Sequence, residues 1–306
     1  MISIVIPLYN KQDYIAETLR SVLGQTYTQF EVILVDDGSS DASVDVVNTF
    51  SDARITLVEK QNEGVSIARN HGVAQAQHQW IAFLDADDWW APTFLEEVVK
   101  GIEQYPEAAI VATGRSRVFE QETERYTHEL LPKDGETELL SYFKVISKHL
   151  PLVNSSNVVL RKSLFLRAGG FRPGMRQHED HDLWIRLCVH HQVLFINKAL
   201  SFYRKNVIAS GSAQVFSSED FLQYLQDIKG VYQELSEKEK PYFSTYFHRF
   251  IAIRYFQSYG KYNKKERQAL QQAVQGWTKK SLQRWMRWLS ATAWVDGYRV
   301  LKKIKG

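Results

Sequence analysis

The sequence predicts an α/β protein with a mostly parallel central sheet, followed by a helical C-terminal region. Strand and helix patterns alternate with short links through the first 100 or so residues, which is the arrangement of βαβ units. The first strand, residues 2–6, is β-branched and apolar on both faces, as a central parallel strand is. Beyond residue 215 the strand patterns stop, and apolar residues recur at helical spacing.

The individual elements follow from these patterns in chain order. Strands are predicted at residues 2–6, 31–35, 55–58, 80–84, 157–161 and 193–196. Helices are predicted at residues 14–23, 44–50, 93–103 and 182–190, with a further helix opened by Gly64 and another capped by Ser218. Asp13 is the expected cap of the first helix. We divide the chain into an α/β domain, residues 1–213, and a helical, aromatic-rich and basic region, residues 214–306.

The composition limits the class of protein. With 44% hydrophobic and 24% charged residues, the chain of 306 residues is typical of a folded soluble protein, and its net charge of +3 gives no argument for nucleic-acid binding. The one cysteine, Cys188, excludes an internal disulfide framework and fits a reducing compartment. The N-terminus lacks a signal-peptide pattern, and no apolar run reaches the ~18 residues that span a bilayer. We therefore expect a cytoplasmic protein, which can still lie on a membrane surface.

Three carboxylates directly follow the strand at residues 80–84. In the stretch DADD, Asp85 and Asp87 point to one side of an extended segment, with Ala86 between them. Two neighbouring carboxylates repel unless a cation lies between them or one takes up a proton. A hard divalent ion, Mg²⁺ or Mn²⁺, suits such oxygen ligands and keeps coordination positions open for phosphate oxygens. The alternative is a solvated acidic turn in which Asp88 caps the next helix.

A second acidic pair follows the predicted strand at residues 31–35. Asp36 or Asp37 can accept a hydrogen bond from a nucleotide base or from ribose hydroxyls. Alternatively, Gly38 makes a turn and Ser39 or Asp41 caps a helix.

A third acidic cluster lies in the stretch RQHEDHDLWIRL. Asp180, crowded by Glu179 and Asp182, is expected to titrate upward and to serve as a general base. His178 and His181 would fit a transition-metal site, but no further His or Cys lies near them at a recognised spacing. The alternative is a helix start whose acids complement the helix dipole.

Together these segments resemble the family 2 inverting glycosyltransferases with the GT-A fold. The matching residues are Pro7, Tyr9 and Asn10, then Asp36-Asp37-Gly38-Ser39, NEGVSIARNHG at 62–72, DADD at 85–88, GGF at 169–171, and ED with DLWIRL at 179–187. The resemblance covers residues 1–205, and the motifs are specific as an ordered set. The membrane spans and the Gln-x-x-Arg-Trp motif of the processive members are missing, which implies transfer of a single sugar per encounter.

The resemblance implies a donor site made of Pro7, Tyr9, Asp37, Arg69, Asn70, Asp85, Ala86, Asp87, Glu179 and Trp184. Pro7 and Tyr9 would lie beside the nucleotide base, and Asp37 would bond the base, most often uracil. Arg69 and Asn70 would line the nucleotide pocket.

The resemblance also implies the catalytic roles. Asp85 would touch the ribose or the metal, and Asp87 would ligate the Mn²⁺ or Mg²⁺ that bridges the diphosphate. Asp180 would deprotonate the acceptor hydroxyl, with Glu179 and Trp184 near the sugars.

The predicted function is transfer of one sugar from a nucleotide-diphosphate sugar, most often a UDP-sugar, to the hydroxyl of a saccharide or lipid-linked saccharide, in cell-envelope or surface polysaccharide synthesis. A nucleotidyltransferase is a second possibility, but it needs a Gly-rich, basic loop after the first strand, and PLYNKQD has no glycine. An inactive nucleotide-sugar-binding module is a third, but it has no use for repelling carboxylates. Nucleic acid is not an expected partner.

The C-terminal segment, residues 277–306, carries eight basic residues and one acidic residue, and Leu282, Trp285, Met286 and Leu289 recur in it at helical spacing. One interpretation is a basic amphipathic helix on an anionic membrane surface, at the inner face of the cell membrane. The other is a helix that packs its tryptophan face on the catalytic domain with its basic side solvated.

Overall fold

The computed structural model describes residues 1–175, 178–205, 218–258 and 263–273. The basic segment for which membrane contact is predicted, residues 277–306, lies outside the described residues. The chain forms two compact units, the first made of Met1–Tyr142 and Pro151–Gln214, the second of Phe143–Leu150 and Val215–Gly306.

Within the described residues, the first unit is built on one ten-stranded sheet. Its strands are β1 (Ile2–Leu8), β2 (Phe30–Asp36), β3 (Ile55–Glu59), β4 (Trp80–Phe83), β5 (Trp89–Trp90), β6 (Ile110–Val118), β7 (Thr123–Arg125), β8 (Thr137–Leu140), β9 (Val158–Arg161) and β10 (Val193–Arg204). Their order is β3-β2-β1-β4-β9-β6-β10-β5, with β7 on β6 and β8 on β10.

The sheet is parallel in its first half and mixed in its second. Strands β3, β2, β1 and β4 all run parallel, as do β6 and β10. Strand β9 runs antiparallel between β4 and β6. The predicted α/β class is thus confirmed, and the predicted parallel order holds for the half of the sheet that carries the first two acidic segments.

The helices are α1 (Ile15–Leu23), α2 (Ser43–Asn48), α3 (Val65–Gln75), α4 (Phe94–Gln104), α5 (Tyr142–Ile146), α6 (Lys162–Arg167), α7 (Glu179–Cys188), α8 (Ser218–Glu234), α9 (Lys240–Ser258) and α10 (Lys264–Ala273). The first helix begins after Tyr14 without a side-chain cap, so Asp13 does not have the predicted capping role. In the part of the chain that is described, no helix combines the length and apolar character needed to cross a bilayer.

Helices cover both faces of β1 because its side chains are apolar on both. Ile4 and Ile6 belong to the same buried cluster as Ile15 and Leu19 of α1. On the other face, Val5 lies directly beneath α3, which comes so close that its Gly72 has no room for a side chain. This close packing positions the start of α3 against the carboxyl ends of β1 and β2.

Strand β6 is a central strand that the sequence pattern does not predict. Its stretch IVATGRSRV mixes apolar and polar residues, yet the first seven of these nine residues are buried. Between β6 and β10 the register shifts, and a Cβ on Gly114 would come within 2.7 Å of the Lys198 carbonyl oxygen. The polar residues of β6 are buried because the strand pairs with β9 and β10, which are distant in sequence. Local periodicity does not indicate such pairing.

The described part of the second unit is helical and has an aromatic core. Phe221, Tyr224 and Phe243 are almost fully buried. The ring of Phe243 stacks on that of Phe247 with centroids 5.8 Å apart and meets Phe143 edge-on at the same distance. Aromatic contacts of this kind stabilise a small helical unit beyond the burial of their area.

The close approach of α3 to β1 can be tested by adding one methyl group. In Gly72→Ala, the new Cβ would lie 2.4 Å from Val5 Cγ1. We expect the free energy of unfolding to fall by roughly 1–3 kcal/mol because the packed layers must separate. Thermal unfolding followed by circular dichroism measures the change.

Gly230→Ala is the matched control, since a Cβ on this exposed α8 residue meets nothing within 4 Å. Its higher helix propensity should leave stability unchanged or raise it by up to about 1 kcal/mol. Equal melting temperatures for Gly72→Ala and the unmodified protein would show that the helix does not pack on β1 as described.

Candidate active site

The acidic segments meet at one edge of the sheet. Strand β1 lies between β2 and β4, and all three are parallel, so the segments that follow them emerge side by side. These segments begin at Tyr9, Asp37 and Leu84. Acids in the last two and an aromatic ring in the first therefore share one rim.

Pro7 lies near the end of β1, and Tyr9 directly follows the strand. The β4 pairing ends at Val5, so the missing N–H of Pro7 costs no bond to that strand. Tyr9 is 48% exposed, which leaves it accessible for stacking on a base. Beyond it, Asn10 has a φ of 51°, and its side-chain oxygen accepts from the Ser40 N–H at 2.8 Å. This bond ties the β1 turn to the segment after β2.

The structure separates the roles of the two acids after β2. Asp36 accepts hydrogen bonds from the backbone N–H groups of Gly38 and Ser39, so it shapes the turn. Asp41 accepts from the Ser43 N–H at the start of α2. Turn formation and helix capping, the alternative interpretation of this segment, therefore account for Asp36 and Asp41 but not for Asp37.

Asp37 is buried and holds the beginning of α3. It accepts from Lys60 Nζ at 2.7 Å, from the Glu63 N–H at 3.0 Å and from the Gly64 N–H at 2.7 Å. An ionised carboxylate has about four acceptor positions, and these three donors use all but one of them. The predicted bond to a base has to use that position.

Arg69 of α3 joins two acids that lie 94 positions apart in the chain. Its Nη2 donates to Asp85 Oδ1 at 2.7 Å, and its Nη1 donates to Glu179 Oε1 at 3.2 Å. The guanidinium lies 5.1 Å from the centroid of the Phe171 ring. The side chain is buried, but the charges of Asp85 and Glu179 raise the pKa of Arg69 above its usual value. The structure thus brings the β4 acids and the α7 acids together through one cation.

Lys11 is a site residue that the sequence pattern did not indicate. Its Nζ lies 2.9 Å from Asp87 Oδ2, and the two side chains are only 14% and 15% exposed. The one available signal was its position directly after the PLYN segment.

Asp88 is buried and does not cap α4. Its carboxylate accepts from Ser156 Oγ and from the Arg204 N–H, whereas α4 begins after Thr93 without a side-chain cap. Burial, and then the charges of Asp85 and Asp87, raise the pKa of Asp88 well above its usual value. The DADD segment does form a turn, in which the Asp88 N–H donates to the Asp85 carbonyl at 3.0 Å, so it is not the extended segment that the sequence predicted. Solvation of this turn and capping by Asp88 are wrong, because Asp88 is buried.

The backbone of the DADD segment is held from two sides. Thr18 Oγ1 of α1 donates to the carbonyls of Ala86 and Asp88, and Arg204 Nε donates to the carbonyl of Asp87. Ala86 itself is 2% exposed, so it can contribute backbone rather than side-chain surface to a donor site. Neither Thr18 nor Arg204 has a sequence signal that marks it as part of the site.

Glu179 and Asp180 begin α7 beside Arg69. Burial first, and then the charge of Asp180, raise the pKa of Glu179 to about 7, although Arg69 opposes this shift. The crowded acids of this cluster therefore raise the pKa of Glu179. One oxygen of Asp180, Oδ1, accepts from the His181 N–H at 2.7 Å. The third acid, Asp182, is fully buried and paired with Arg186 at 2.6 Å, which is a structural role.

Trp184 does not lie where the predicted contact with sugars needs it. It is 1% exposed and packs in the core, with its ring centroid 6.4 Å from Phe83 and 6.0 Å from Phe171. Trp184 faces inward from α7 because it belongs to the apolar side of that helix. Its indole supports the site from beneath and presents no face to a ligand.

Asn70 also has a structural contact in place of the predicted pocket lining. Its amide donates to the Phe171 carbonyl at 2.7 Å and accepts from the Phe171 N–H at 2.9 Å. A Cβ on Gly170, which has a φ of 65°, would lie 2.6 Å from the Asn70 side-chain oxygen. The GGF segment is thus clamped to α3, and Gly170 is required there.

Asp85 and Asp87 have the chemistry that a divalent ion needs. Both carboxylates are partly exposed, at 30% and 15%, and both face a cationic side chain. Both lie close enough to Asp88 to raise its pKa. Hard carboxylate oxygens in an acidic cluster fit Mg²⁺ or Mn²⁺.

Two comparisons place the fold among known structures. The chain superimposes on the crystal structure of Staphylococcus aureus TarS 1–349 in complex with UDP-GlcNAc, with a TM-score of 0.78, 20% identity, and coverage of 99% of this chain and 90% of that one. A mannosyltransferase from Pyrobaculum calidifontis in complex with GDP-Man and Mn²⁺ gives a TM-score of 0.52 at 18% identity, over 94% and 84% of the two chains. At these identities the likeness is one of fold, and it confirms the expected GT-A architecture.

The sequence relatives are bacterial glycosyltransferases. GlyA of Streptococcus pneumoniae is 27% identical over 74% of this chain and 33% of its own length. An uncharacterized glycosyltransferase of Haemophilus influenzae is 30% identical over 61% of this chain and 62% of its own length. The chain thus spans about one third to three fifths of the length of these relatives.

The family model described as "Glycosyl transferase family 2" matches residues 3–168, which is more than half of the chain. This region contains the β1 turn, the Asp37 segment, Arg69 and the DADD loop. The chain belongs to glycosyl transferase family 2.

Proposed function

We propose that this chain transfers one sugar from a nucleotide-diphosphate sugar to an acceptor hydroxyl, with inversion at the anomeric carbon. The observation that carries the proposal is the bridge made by Arg69 between Asp85 and Glu179. It brings the predicted donor acids at the end of β4 next to the predicted acceptor base, Asp180, at the start of α7. Family membership supports the same reaction class.

The nucleotide would lie over the ends of β1 and β2. The exposed ring of Tyr9 offers a stacking surface, and the remaining acceptor position of Asp37 can receive an N–H of the base. A base with an N–H donor, such as uracil, satisfies that position. The diphosphate would then extend toward Asp85 and Asp87 on the neighbouring strand.

The reaction requires charge stabilisation on one side and proton removal on the other. When bound at Asp85 and Asp87, a divalent ion supplies positive charge that offsets the negative charge developing on the β-phosphate. Asp180 would accept the proton of the acceptor hydroxyl while the hydroxyl oxygen forms a bond to the anomeric carbon. The bond from that carbon to the diphosphate breaks on the opposite face, and a nucleoside diphosphate leaves.

Glu179 has a different task from its neighbour. Because its pKa is about 7, it is partly protonated near neutral pH. A protonated Glu179 can donate a hydrogen bond to a sugar oxygen while its other oxygen accepts from Arg69. It would thereby orient the acceptor or the donor sugar beside Asp180.

The donor can be identified by ligand-dependent stabilisation. TarS was crystallised with UDP-GlcNAc and the Pyrobaculum enzyme with GDP-Man and Mn²⁺, so these two donors, with Mn²⁺, are the first to test. A ligand that binds only the folded state raises the melting temperature. A UDP-sugar that raises it, and from which UDP is released on addition of a saccharide acceptor, supports the proposal. Release of pyrophosphate in its place would indicate a nucleotidyltransferase.

We propose residues 1–213 as the catalytic domain and a lipid-linked or cell-envelope saccharide as the acceptor.

We also propose that the basic segment, residues 277–306, contacts an anionic membrane. The eight basic residues of that segment support this membrane contact. Flotation with anionic liposomes, with and without residues 277–306, tests it. Equal flotation of both forms contradicts a membrane role.

Replacement of Asp180 by asparagine should separate binding from turnover. Asp180→Asn keeps the side-chain size but removes the proton acceptor, so we expect turnover to fall by about 10²- to 10⁴-fold. The affinity for the donor, measured by isothermal titration calorimetry, should stay within about twofold. Asp13→Asn, an exposed residue with no capping role, is the matched control. A variant at Asp180 with normal turnover would show that another group is the base.

The raised pKa of Glu179 should appear in the pH dependence of stability. Between the usual pKa of a glutamate, about 4.3, and a folded-state value of about 7, the folded state binds more protons than the unfolded state. Glu179 therefore makes stability fall as pH rises through this range. In Glu179→Gln that contribution is absent, so the variant should gain stability relative to the unmodified protein from about pH 4.3 to about pH 7, and the difference should level off above that pH.

Melting temperatures measured across this pH range test the shift. Glu59→Gln, which changes an exposed glutamate of β3, should give a curve parallel to that of the unmodified protein. A parallel curve for Glu179→Gln as well would show that Glu179 titrates alike in both states.

A further inference from the structure

Lys11 is held in place on both sides of its backbone. Its N–H donates to Ser43 Oγ at 2.7 Å, and its carbonyl accepts from the N–H groups of Tyr14 and Ile15, both at 3.0 Å. Because the backbone is fixed, the ammonium can change position only by rotation about the bonds of the four-carbon side chain. From this fixed base its ammonium reaches Asp87 Oδ2 at 2.9 Å.

Each of the two predicted metal ligands has its own cationic partner, but the two cations are held differently. Arg69, which pairs with Asp85, is also bound by Glu179 and lies on the Phe171 ring, and its side chain is 5% exposed. In the described residues, the one ion pair of Lys11 is with Asp87. Lysine is a point charge on a flexible stem, whereas a guanidinium is fixed by several bonds.

This difference decides which cation can leave. Movement of Arg69 would leave both Asp85 and Glu179 without their cation, which is costly for acids in a partly buried cluster. Lys11 gives up one ion pair and a long contact of its ammonium with the Tyr14 ring, 5.9 Å from the centroid, and the ammonium regains solvation near the rim. Asp87 is thus the acid whose cationic partner, the Lys11 ammonium, can be replaced by another cation.

We propose that the Lys11 ammonium occupies the position of a divalent cation at Asp87 and competes with that cation for the carboxylate. The proposal rests on the proposed function, since it requires a metal at Asp87. In the absence of nucleotide, the ion pair lowers the metal affinity of the site. When a nucleoside diphosphate binds as well, the released ammonium gains an anionic partner, so that the metal and the diphosphate bind cooperatively.

The test is Mn²⁺ binding to the full chain, measured from the free Mn²⁺ signal in electron paramagnetic resonance, without nucleotide and with saturating UDP. Lys11→Met removes the competing charge and keeps the length of the stem. Without UDP, we expect Lys11→Met to bind Mn²⁺ roughly threefold to tenfold more tightly than the unmodified protein. The factor by which UDP increases Mn²⁺ affinity should be smaller in the variant. Damage to the fold would weaken Mn²⁺ binding, so tighter binding cannot result from a structural defect.

Two further variants complete the test. Lys11→Arg keeps the charge and can bind the Asp87 carboxylate with two bonds, so it should lower Mn²⁺ affinity without UDP below that of the unmodified protein. Lys100→Met is the matched control, because Lys100 is an exposed lysine of α4 that pairs with Glu96. It should leave Mn²⁺ affinity and the UDP effect unchanged.

Asp87→Asn distinguishes failure of this inference from failure of the proposed function. If Asp87→Asn leaves Mn²⁺ binding intact, the metal site of the proposed function is wrong, and the competition falls with it. If Asp87→Asn abolishes Mn²⁺ binding but Lys11→Met binds Mn²⁺ no more tightly than the unmodified protein, Lys11 does not compete, and the proposed function stands.

Discussion

The ion pairs of Arg69 are the interaction on which the site depends. One buried guanidinium binds Asp85 at the end of β4 and Glu179 at the start of α7, two segments that no strand pairing connects directly. A buried arginine without these acids would be costly, and the acids without the arginine would repel one another and their neighbours. The helix that carries Arg69 is itself fixed on β1 by the contact at Gly72 and at its start by Asp37. The arrangement of acids at the rim therefore depends on the packing of α3 against β1.

The crowded acids after β4 are stabilised in three different ways. Asp85 is paired with a fixed guanidinium, Asp87 with an ammonium on a flexible stem, and Asp88 is buried with a raised pKa and two hydrogen-bond donors. Burial removes Asp88 from the rim and makes it a structural group, which leaves two carboxylates for chemistry. Three identical side chains within four residues thus acquire separate properties from their surroundings alone.

Local patterns predicted the parts of this structure that depend on local forces. The apolar strands β1, β2 and β4 and the acids at their ends are readable because a two-sided apolar run and an abrupt polar end are properties of the segment itself. Strand β6 and the roles of Ser156 and Arg204 depend on partners far away in the sequence, so no local signal marks them. Trp184 and Asn70 were placed in the site by resemblance, but a motif does not show whether a side chain turns toward the ligand or the core.

Arg204 is the last residue of β10, and through it the exit of the chain from the sheet is attached to the DADD loop. Its N–H binds the Asp88 carboxylate, its side chain binds the Asp87 carbonyl, and its guanidinium lies 4.5 Å from the centroid of the Trp89 ring. One arginine thus fastens the end of the longest strand of the sheet to the backbone and the buried acid of the DADD loop. Loss of its side chain would free the Asp87 carbonyl and the Trp89 ring at the same time, so the loop and the strand end would loosen as one unit.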